Sequence, residues 1–253
     1  MEAKCIIFLN QKGGVAKTTS TYNIAAAKAR EGKTVLMIDL DPQASLTIAA
    51  GIEPGEVRLE GHNTCDLLTP KMDPLDAVFS VKGIDNLYIV PSDIELANME
   101  KKLIIQMNGE VKLRNAIKKM REHFDYIFID CPPQLGQLSI NALVAADEVV
   151  IPCKTDYLSY RGLKALIETI EEVREEQMNP DIVVDGIIAT FFESNVKDHK
   201  TVLGLIQQLG IPVIGTIRKS ADITRNLVKG LPVLVALPES NVAKEYTTVA
   251  SLL

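Results

Sequence analysis

The sequence predicts an α/β fold with three layers, α/β/α, in which helices cover both faces of a doubly wound, mostly parallel sheet. Two observations predict it. Short apolar runs without in-out alternation recur along the chain, as expected of strands buried on both faces. Longer stretches with helical patterning separate these runs. The 253 residues contain no repeat or linker, so we expect a single domain over residues 1–253.

The first apolar run, KCIIFLN, predicts a strand that leads into a helix through TTSTYNIAAAKAREG, with Gly32 as its stop. The next strand is KTVLMIDLD, and the strands after it are NLYIVPS, FDYIFIDCP, EVVIPC, IVVDGIIATFF and PVIGTI. Further helices are predicted over residues 93–122, 136–146, 157–177, 197–209 and 240–252. Residues 51–82, rich in glycine, proline and aspartate, predict an irregular segment with short helices.

Composition limits the classes of function. Hydrophobic residues make up 47% and charged residues 24% of the chain, typical of a soluble globular protein. No apolar run has the length of a membrane span, and the N-terminal residues do not form a secretory leader, so we expect a cytoplasmic protein. A net charge of −6 argues against a generally basic coat for nucleic acid but allows a local basic patch. The four cysteines form no C-x-x-C pair and are expected to be reduced.

The segment after the first strand predicts a phosphate-binding loop. Its residues are Lys12, Gly13, Gly14, Val15, Ala16, Lys17, Thr18 and Thr19. The two glycines allow a tight turn whose N–H groups face a phosphate, and the following helix adds its N-terminal donors. Lys17 is placed to reach the β- and γ-phosphates, and the Thr18 hydroxyl is placed to bind magnesium.

Acidic residues follow two other strands. Asp39 and Asp41 lie in DLDPQAS after the second strand, and Asp130 ends the strand FDYIFID. Each could instead cap a turn or a helix, a common role for a strand-end aspartate. Ligands of such sheets bind at the carboxyl ends of the strands. The three segments together therefore predict a site for a nucleotide phosphate and magnesium.

Three segments resemble the ParA/Soj partition ATPases, which belong to the MinD/ParA class of P-loop NTPases with a deviant Walker A motif. They are KGGVAKTT, DLDPQAS and DYIFIDCPPQLGQLSINALVAADEVVIP. The similarity runs through most of the chain and is densest in residues 4–153. The resemblance implies a fold of this P-loop class, ATP or ADP and Mg²⁺ as cofactors, and hydrolysis of ATP to ADP and phosphate.

The resemblance also implies a role for each matching residue. Lys12 corresponds to the signature lysine that reaches the partner's ATP across a dimer interface, and Lys17 to the lysine of the phosphate loop. Thr18 corresponds to the magnesium ligand. Asp41 corresponds to the carboxylate that positions the attacking water, near the metal, and Asp130 to the second aspartate of the magnesium site. A lysine supplied by the partner would make ATP occupancy a switch between monomer and dimer.

Ala16 departs from the family pattern, which has glycine at this position. A methyl group there is tolerated if the backbone has a negative φ and if Cβ does not meet the nucleotide. We expect a negative φ at Ala16 and intact ATP binding.

The downstream half suggests a surface for DNA. GTIRKSADITRNLVKGLPVL resembles a segment of the family and gathers Arg218, Lys219, Arg225 and Lys229. With Lys197 and Lys200, these cations could bind the phosphate backbone of double-stranded DNA without sequence specificity. Solvated lysines on a helix face are an equal alternative. Thr190 through Glu193 are a weaker match to the residues near adenine.

The main hypothesis is a ParA-like ATPase that acts in plasmid or chromosome partition. It would form an ATP-dependent homodimer on the nucleoid and work with a ParB-like centromere-binding partner. One alternative is a MinD-like positioning ATPase on a membrane or a protein cargo. The final helix has one lysine, Lys244, and an apolar face of Val242, Tyr246 and Val249 that is expected to pack on the sheet, so no membrane binding is expected. A ligase acting on a small molecule would need further substrate groups, which the sequence does not display.

Overall fold

The computed structural model describes residues 2–69 and 72–253, and within them one sheet forms the centre of the fold. Its strands are β1 Lys4–Phe8, β2 Val35–Asp39, β3 Phe79–Ser80, β4 Leu87–Val90, β5 Tyr126–Asp130, β6 Glu148–Lys154, β7 Val183–Thr190 and β8 Val213–Ile217. They lie in the order β3-β4-β2-β5-β1-β6-β7-β8. All neighbouring pairs are parallel except β3 with β4. The predicted mostly parallel sheet is confirmed.

Helices connect the strands. They are α1 Lys17–Arg30, α2 Ser45–Ala49, α3 Pro54–Glu60, α4 Thr64–Leu67, α5 Leu96–Ile105, α6 Lys112–Met120, α7 Gln137–Ala145, α8 Tyr157–Glu175, α9 Lys197–Gln207, α10 Ala221–Leu227, α11 Val233–Ala236 and α12 Asn241–Ala250. The short helices predicted in residues 51–82 are present as α3 and α4, although Pro70 and Lys71 of that segment lie outside the described residues. No helix of the described ranges is long and apolar enough to cross a membrane.

The sheet is buried on both faces, which explains why its strands are continuously apolar. Along β1, Cys5 and Ile7 belong to a core shared with α5 to α9, whereas Ile6 and Phe8 belong to a core shared with α1, α11 and α12. Successive side chains of a strand point to opposite faces, so each strand contributes to both cores. The three-layer prediction is confirmed. The final helix also packs as expected, because its predicted apolar face is buried.

The single helix predicted over residues 93–122 is wrong. The chain forms α5, a 3₁₀ turn at Gly109–Val111 and then α6. The break follows from local backbone geometry. Asn108 has a left-handed φ of 56°, and Gly109 lies against α5 so closely that a Cβ would fall 2.0 Å from the Leu103 carbonyl oxygen. Only glycine fits that contact, and the α5–α6 corner is therefore sharp.

Candidate functional site

The strand order brings the predicted phosphate and magnesium residues to one edge of the sheet. β1 lies beside β5, with Phe8 opposite Asp130, and β5 lies beside β2, with Asp130 opposite Asp39. The loop from Leu9 to Ala16 leaves β1 at this edge. Since the strands are parallel, their carboxyl ends meet here, as expected for the binding crevice of such a sheet.

The phosphate loop is held in place by the neighbouring strands β6 and β7. The Asn10 side chain donates to the Pro152 carbonyl oxygen at 2.7 Å and accepts from the Lys12 N–H at 3.0 Å. At the other end of the loop, the Thr190 hydroxyl donates to the Val15 carbonyl oxygen at 3.0 Å. Gly13 and Gly14 between these anchors are exposed. The loop is thus fixed at both ends while its glycine backbone remains open to a ligand.

Lys17 is folded back over its own loop. Its Nζ donates to the carbonyl oxygens of Asn10 at 3.1 Å and Lys12 at 3.3 Å, and the residue is 7% exposed. Burial lowers the pKa of Lys17, an effect that the nearby carboxylate of Asp130 opposes. The two carbonyl oxygens are neutral acceptors. A phosphate bound in the loop would give the Lys17 Nζ an anionic acceptor, and such a hydrogen bond is stronger.

Thr18 and Asp130 are two of the three residues predicted for magnesium, and Asp41 is the third. The Thr18 hydroxyl donates to Asp130 Oδ2 at 2.5 Å, which leaves the lone pairs of the Thr18 oxygen free for a cation. Asp130 Oδ1 is buried and has no hydrogen-bond partner among the described residues. Burial raises the pKa of Asp130 well above its ordinary range, and the adjacent carboxylate of Asp39 raises it further.

These residues fit a magnesium ion. A buried carboxylate oxygen without a partner is costly, and a nearby cation or its water would relieve that cost. No group of three or more His, Cys, Asp and Glu in the described ranges could hold a metal. Mg²⁺ commonly keeps several waters and uses one or two protein ligands together with substrate phosphates, which matches this sparse donor set.

Asp39 shapes the loop that carries Asp41. Its fully buried carboxylate accepts from the Asp41 N–H at 3.1 Å, and from the N–H and hydroxyl of Thr47 at 2.8 and 2.7 Å. Burial raises the pKa of Asp39 to about 6, although the Thr47 hydrogen bonds oppose the rise. Asp41 is half-buried, and one of its oxygens accepts from the Gln43 N–H at 2.9 Å. Asp39 therefore closes this loop, and Asp41 is the carboxylate left at the cleft.

The expectation of a negative φ at Ala16 is wrong. Ala16 has φ 69° and ψ 33°, the left-handed conformation, at the position just before α1. The phosphate loop needs this turn to start the helix, which is why the family pattern has glycine here. An alanine in this conformation is destabilised by about 1–2 kcal/mol, because Cβ crowds the following carbonyl oxygen. The sequence therefore places strain in the loop itself.

Ala16→Gly should stabilise the protein by about 1 kcal/mol, because glycine adopts a positive φ without steric cost. Thermal or urea unfolding of the nucleotide-free protein measures the change. Ala165→Gly is a matched control at an exposed interior position of α8, where the same change should destabilise by about 1 kcal/mol. If the two variants shift stability in the same direction, Ala16 is not strained.

Lys12 is held by an acidic residue of its own chain. Its Nζ lies 2.9 Å from Asp156 Oδ1, and Lys154 Nζ lies 3.3 Å from the other oxygen. Asp156 precedes α8 and also accepts from the Ser159 N–H at 2.8 Å. Burial alone would raise the pKa of Asp156, but hydrogen bonds from Lys12, Ser159 and Lys154 outweigh it and hold that pKa well below its ordinary range.

Two clefts border the phosphate loop and share some of their lining residues. A cleft of about 510 Å³ is lined by Gly13, Lys17, Thr18 and Asp41 among others. A cleft of about 210 Å³ shares Gly14, Ala16 and Thr19 with it.

The smaller cleft contains two of the residues expected near adenine. Thr190 and Phe191 line it, whereas Phe192 and Glu193 line a neighbouring cavity of about 630 Å³, and Arg218 lines both. Phe191 has a left-handed φ of 54°, unusual for an aromatic residue. The smaller cleft therefore places a base-sized space next to the phosphate loop.

The predicted DNA-binding residues differ in their surroundings. Arg218 Nε lies 2.7 Å from Glu245, and Arg225 lies 3.6 Å from Asp222, so both are partly neutralised. Lys219 and Lys229 are exposed and have no ion pair within the part of the chain that the structure describes. The two lysines are therefore the stronger candidates of the four.

Comparison with known proteins agrees with this geometry. A family model described as an AAA domain matches residues 3–184. The sporulation initiation inhibitor protein Soj of Bacillus subtilis is 35% identical over 260 residues, covering 98% of this chain and 96% of Soj. The chain belongs to the ParA/Soj family of P-loop ATPases. The ParA/Soj resemblance seen in the sequence is confirmed.

Solved structures similar to this ParA/Soj family member share its fold. McdA from Cyanothece, in its apo form, superposes with a TM-score of 0.89 at 26% identity, covering 99% of both chains. A cobyrinic acid a,c-diamide synthase from Mycobacterium smegmatis, with a bound ATP analogue and magnesium, superposes with a TM-score of 0.85 at 30% identity, covering 98% of this chain and 93% of that one. The cofactors predicted from the sequence, ATP or ADP with Mg²⁺, are of the kind that the mycobacterial structure contains.

Two residues that shape the site, Asn10 and Asp156, belong to none of the motifs in the sequence. Asn10 was visible as the residue after the first strand, where a side chain that anchors the loop is expected. Asp156 was visible as a helix cap before an apolar-periodic helix, but nothing in the sequence places it beside Lys12. Its partner is distant in sequence, and only the order of the strands brings the two together.

Proposed function

We propose that this ParA/Soj family member binds and hydrolyses Mg-ATP and forms an ATP-dependent sandwich dimer. The dimer binds DNA without sequence specificity and acts in plasmid or chromosome partition, on the nucleoid, with a ParB-like partner. The observation that carries the proposal is the meeting of the Lys12 and Lys17 loop with the Thr18–Asp130 pair and Asp41 at one sheet edge.

The residues divide the work of phosphoryl transfer. Lys17 and the loop N–H groups neutralise and position the phosphates, as such transfer requires. Thr18 and Asp130 would hold magnesium, which supplies further neutralisation of phosphate charge when bound. Asp41, left open at the cleft, would orient the attacking water. Lys12 would complete the site of the partner subunit, so that hydrolysis depends on dimerisation.

Asp156→Asn should strengthen ATP-dependent dimerisation, because Lys12 must leave Asp156 before it reaches a partner's phosphates. Both side chains of the pair are about one-third exposed, so the pair contributes at most about 1 kcal/mol, or roughly a factor of five per subunit. Asparagine keeps the cap on α8. Analytical ultracentrifugation with ATP measures the effect. Weaker dimerisation would show that Asp156 supports the interface rather than restraining Lys12.

Lys219 and Lys229 are proposed as contacts to DNA phosphates. Replacing both with alanine should lower retention on random duplex DNA about tenfold or more at low salt, and should reduce the salt dependence by about two phosphate contacts per subunit. Lys33→Ala with Lys82→Ala is a control with the same loss of charge, since both residues are exposed and precede the amino ends of β2 and β4, away from the site at the carboxyl ends.

The function is tested by ATP-dependent retention on random duplex DNA and on anionic liposomes, at low and high salt, together with phosphate release. Retention on DNA that needs ATP and weakens with salt supports partition. Retention on liposomes that needs ATP, without any on DNA, would favour the MinD-like positioning function instead. Absence of ATP hydrolysis with and without DNA would contradict the enzyme activity itself.

A further inference from the structure

The end of α5 exposes three apolar side chains within four residues. Ile104 is 65% exposed, Ile105 87% and Met107 85%, and we call these three residues the α5 tip. Single exposed apolar residues are ordinary, but a contiguous group marks an interaction surface. Exposures this high place the three side chains on the outer surface of the protein. The α5 tip is therefore a candidate surface for contact with a lipid bilayer or with another molecule.

The sequence around the α5 tip is rich in cations, and the nearest acidic residue before it, Glu100, accepts from the Leu138 N–H at 3.3 Å. Residues 101–119 contain a single acidic residue, Glu110, in a chain whose net charge is −6. The same stretch contains the cations Lys101, Lys102, Lys112, Arg114, Lys118 and Lys119. Lys101 and Lys102 are exposed, and neither forms an ion pair with any residue that the structure describes. Helical spacing puts Lys101 on the face of Ile104 and Ile105, three and four residues on.

We propose that the α5 tip binds the surface of an anionic phospholipid bilayer. The apolar side chains enter the interfacial layer while Lys101 and Lys102 contact the headgroups. This occupant matches both properties of the patch, since a bilayer offers negative charge above an apolar interior. A second copy joined through the same patch would set these lysines beside like charges. Duplex DNA matches the lysines but leaves the apolar side chains in water.

Such binding is weak, reversible and salt-dependent. Each lysine near a strongly anionic surface strengthens binding about fivefold at low salt, and three apolar side chains do not anchor a protein permanently. None of the three side chains lines the clefts beside the phosphate loop. Binding should therefore occur with ADP, ATP or no nucleotide. The expectation of no membrane binding rested on the final helix, which is a different element.

A tryptophan reporter tests the proposal, because the chain contains no tryptophan. Ile105→Trp places one at the α5 tip. Vesicles of phosphatidylcholine with phosphatidylserine should shift its emission to shorter wavelength, and brominated acyl chains should quench it. Phosphatidylcholine vesicles alone should give little shift. Val183→Trp, at an exposed residue of β7, is the matched reporter and should not respond.

Vesicle sedimentation of variants without tryptophan separates the contribution of the lysines from that of the apolar side chains. Lys101→Gln with Lys102→Gln should lower the partition coefficient about 25-fold, a factor of about five for each lysine. Ile105→Ser with Met107→Ser should lower it about tenfold through the lost apolar area. Val183→Ser with Leu252→Ser removes two exposed apolar side chains elsewhere and should leave the coefficient unchanged.

Other results would overturn the proposal. If anionic vesicles do not shift the emission of Ile105→Trp, the proposal is overturned. If the lysine variant loses binding while Ile105→Ser with Met107→Ser binds normally, the apolar side chains do not enter the bilayer. An emission shift caused by ATP without vesicles assigns the surface to a contact between copies. A shift caused only by duplex DNA assigns it to nucleic acid. Each of these outcomes leaves the ATP-dependent retention on DNA of the proposed function to be judged separately.

Discussion

Lys17→Ala should raise the Kd for Mg-ATP by a factor of at least about 100. Lys17 lines the cleft at the phosphate loop, and its buried Nζ donates to two backbone carbonyls of its own loop. In the ATP complex, the Nζ would donate to phosphate oxygens instead. Hydrogen bonds to charged groups contribute about 1.5–3 kcal/mol each, so the loss of two bonds to phosphate accounts for that factor. Calorimetric titration of the nucleotide into the protein measures it.

The control for Lys17→Ala must exclude a folding defect, because Lys17 is almost fully buried. Lys33→Ala removes the same charge from an exposed position after α1 and should leave the Kd unchanged. Thermal unfolding without nucleotide reports on the fold. A Lys17→Ala protein that unfolds at the normal temperature and still binds ATP with normal affinity would contradict the phosphate role.

Lys12→Ala should abolish the ATP-dependent dimer and lower the rate of hydrolysis by a factor of about 10³ or more. A cation supplied by another protein can accelerate phosphoryl transfer by 10³–10⁵, and Lys12 is proposed to be that cation. Binding of ATP to the monomer should change by less than about threefold, since the Lys12 Nζ is paired with Asp156 of its own chain. The pair of measurements distinguishes Lys12 from Lys17.

Lys154→Ala is the matched control for Lys12→Ala. Lys154 also contacts Asp156, at 3.3 Å, and its removal takes the same charge from the same carboxylate. Sedimentation with a slowly hydrolysed ATP analogue measures the dimer, and phosphate release measures the rate. If Lys12→Ala still dimerises with ATP, or if Lys154→Ala loses the dimer equally, Lys12 has no special role at the interface.

The strands and the phosphate loop could be predicted because each is encoded locally. An apolar run without alternation specifies a strand buried on both faces, and the residues after it identify the site. Asp130 and Thr18 are far apart in sequence, yet the rule that parallel strands end at one edge predicted that they would meet. Their hydrogen bond at 2.5 Å is the outcome of that rule.

The missed features depend on backbone conformation or on distant partners. The φ of Ala16 is set by how the loop turns into α1, and alanine itself gives no sign of a positive φ. The corner between α5 and α6 depends on the contact of Gly109 with Leu103, which an apolar-periodic pattern conceals. Lys12 and Asp156 are distant in sequence, and they meet because β1 and β6, which precede them, are adjacent in the sheet.

The position of β1 has a consequence for biosynthesis. β1 is made before the other strands of this sheet, but its neighbours in the sheet are β5 and β6, which are made much later. The loop after it is then anchored by Thr190, at the end of β7. During most of translation, the apolar β1 segment and the phosphate loop therefore have no sheet neighbours to pack against. Exposed apolar segments of this kind are prone to aggregation, which chaperones prevent. The phosphate loop therefore gains its anchor on β7 only after most of the chain has been made.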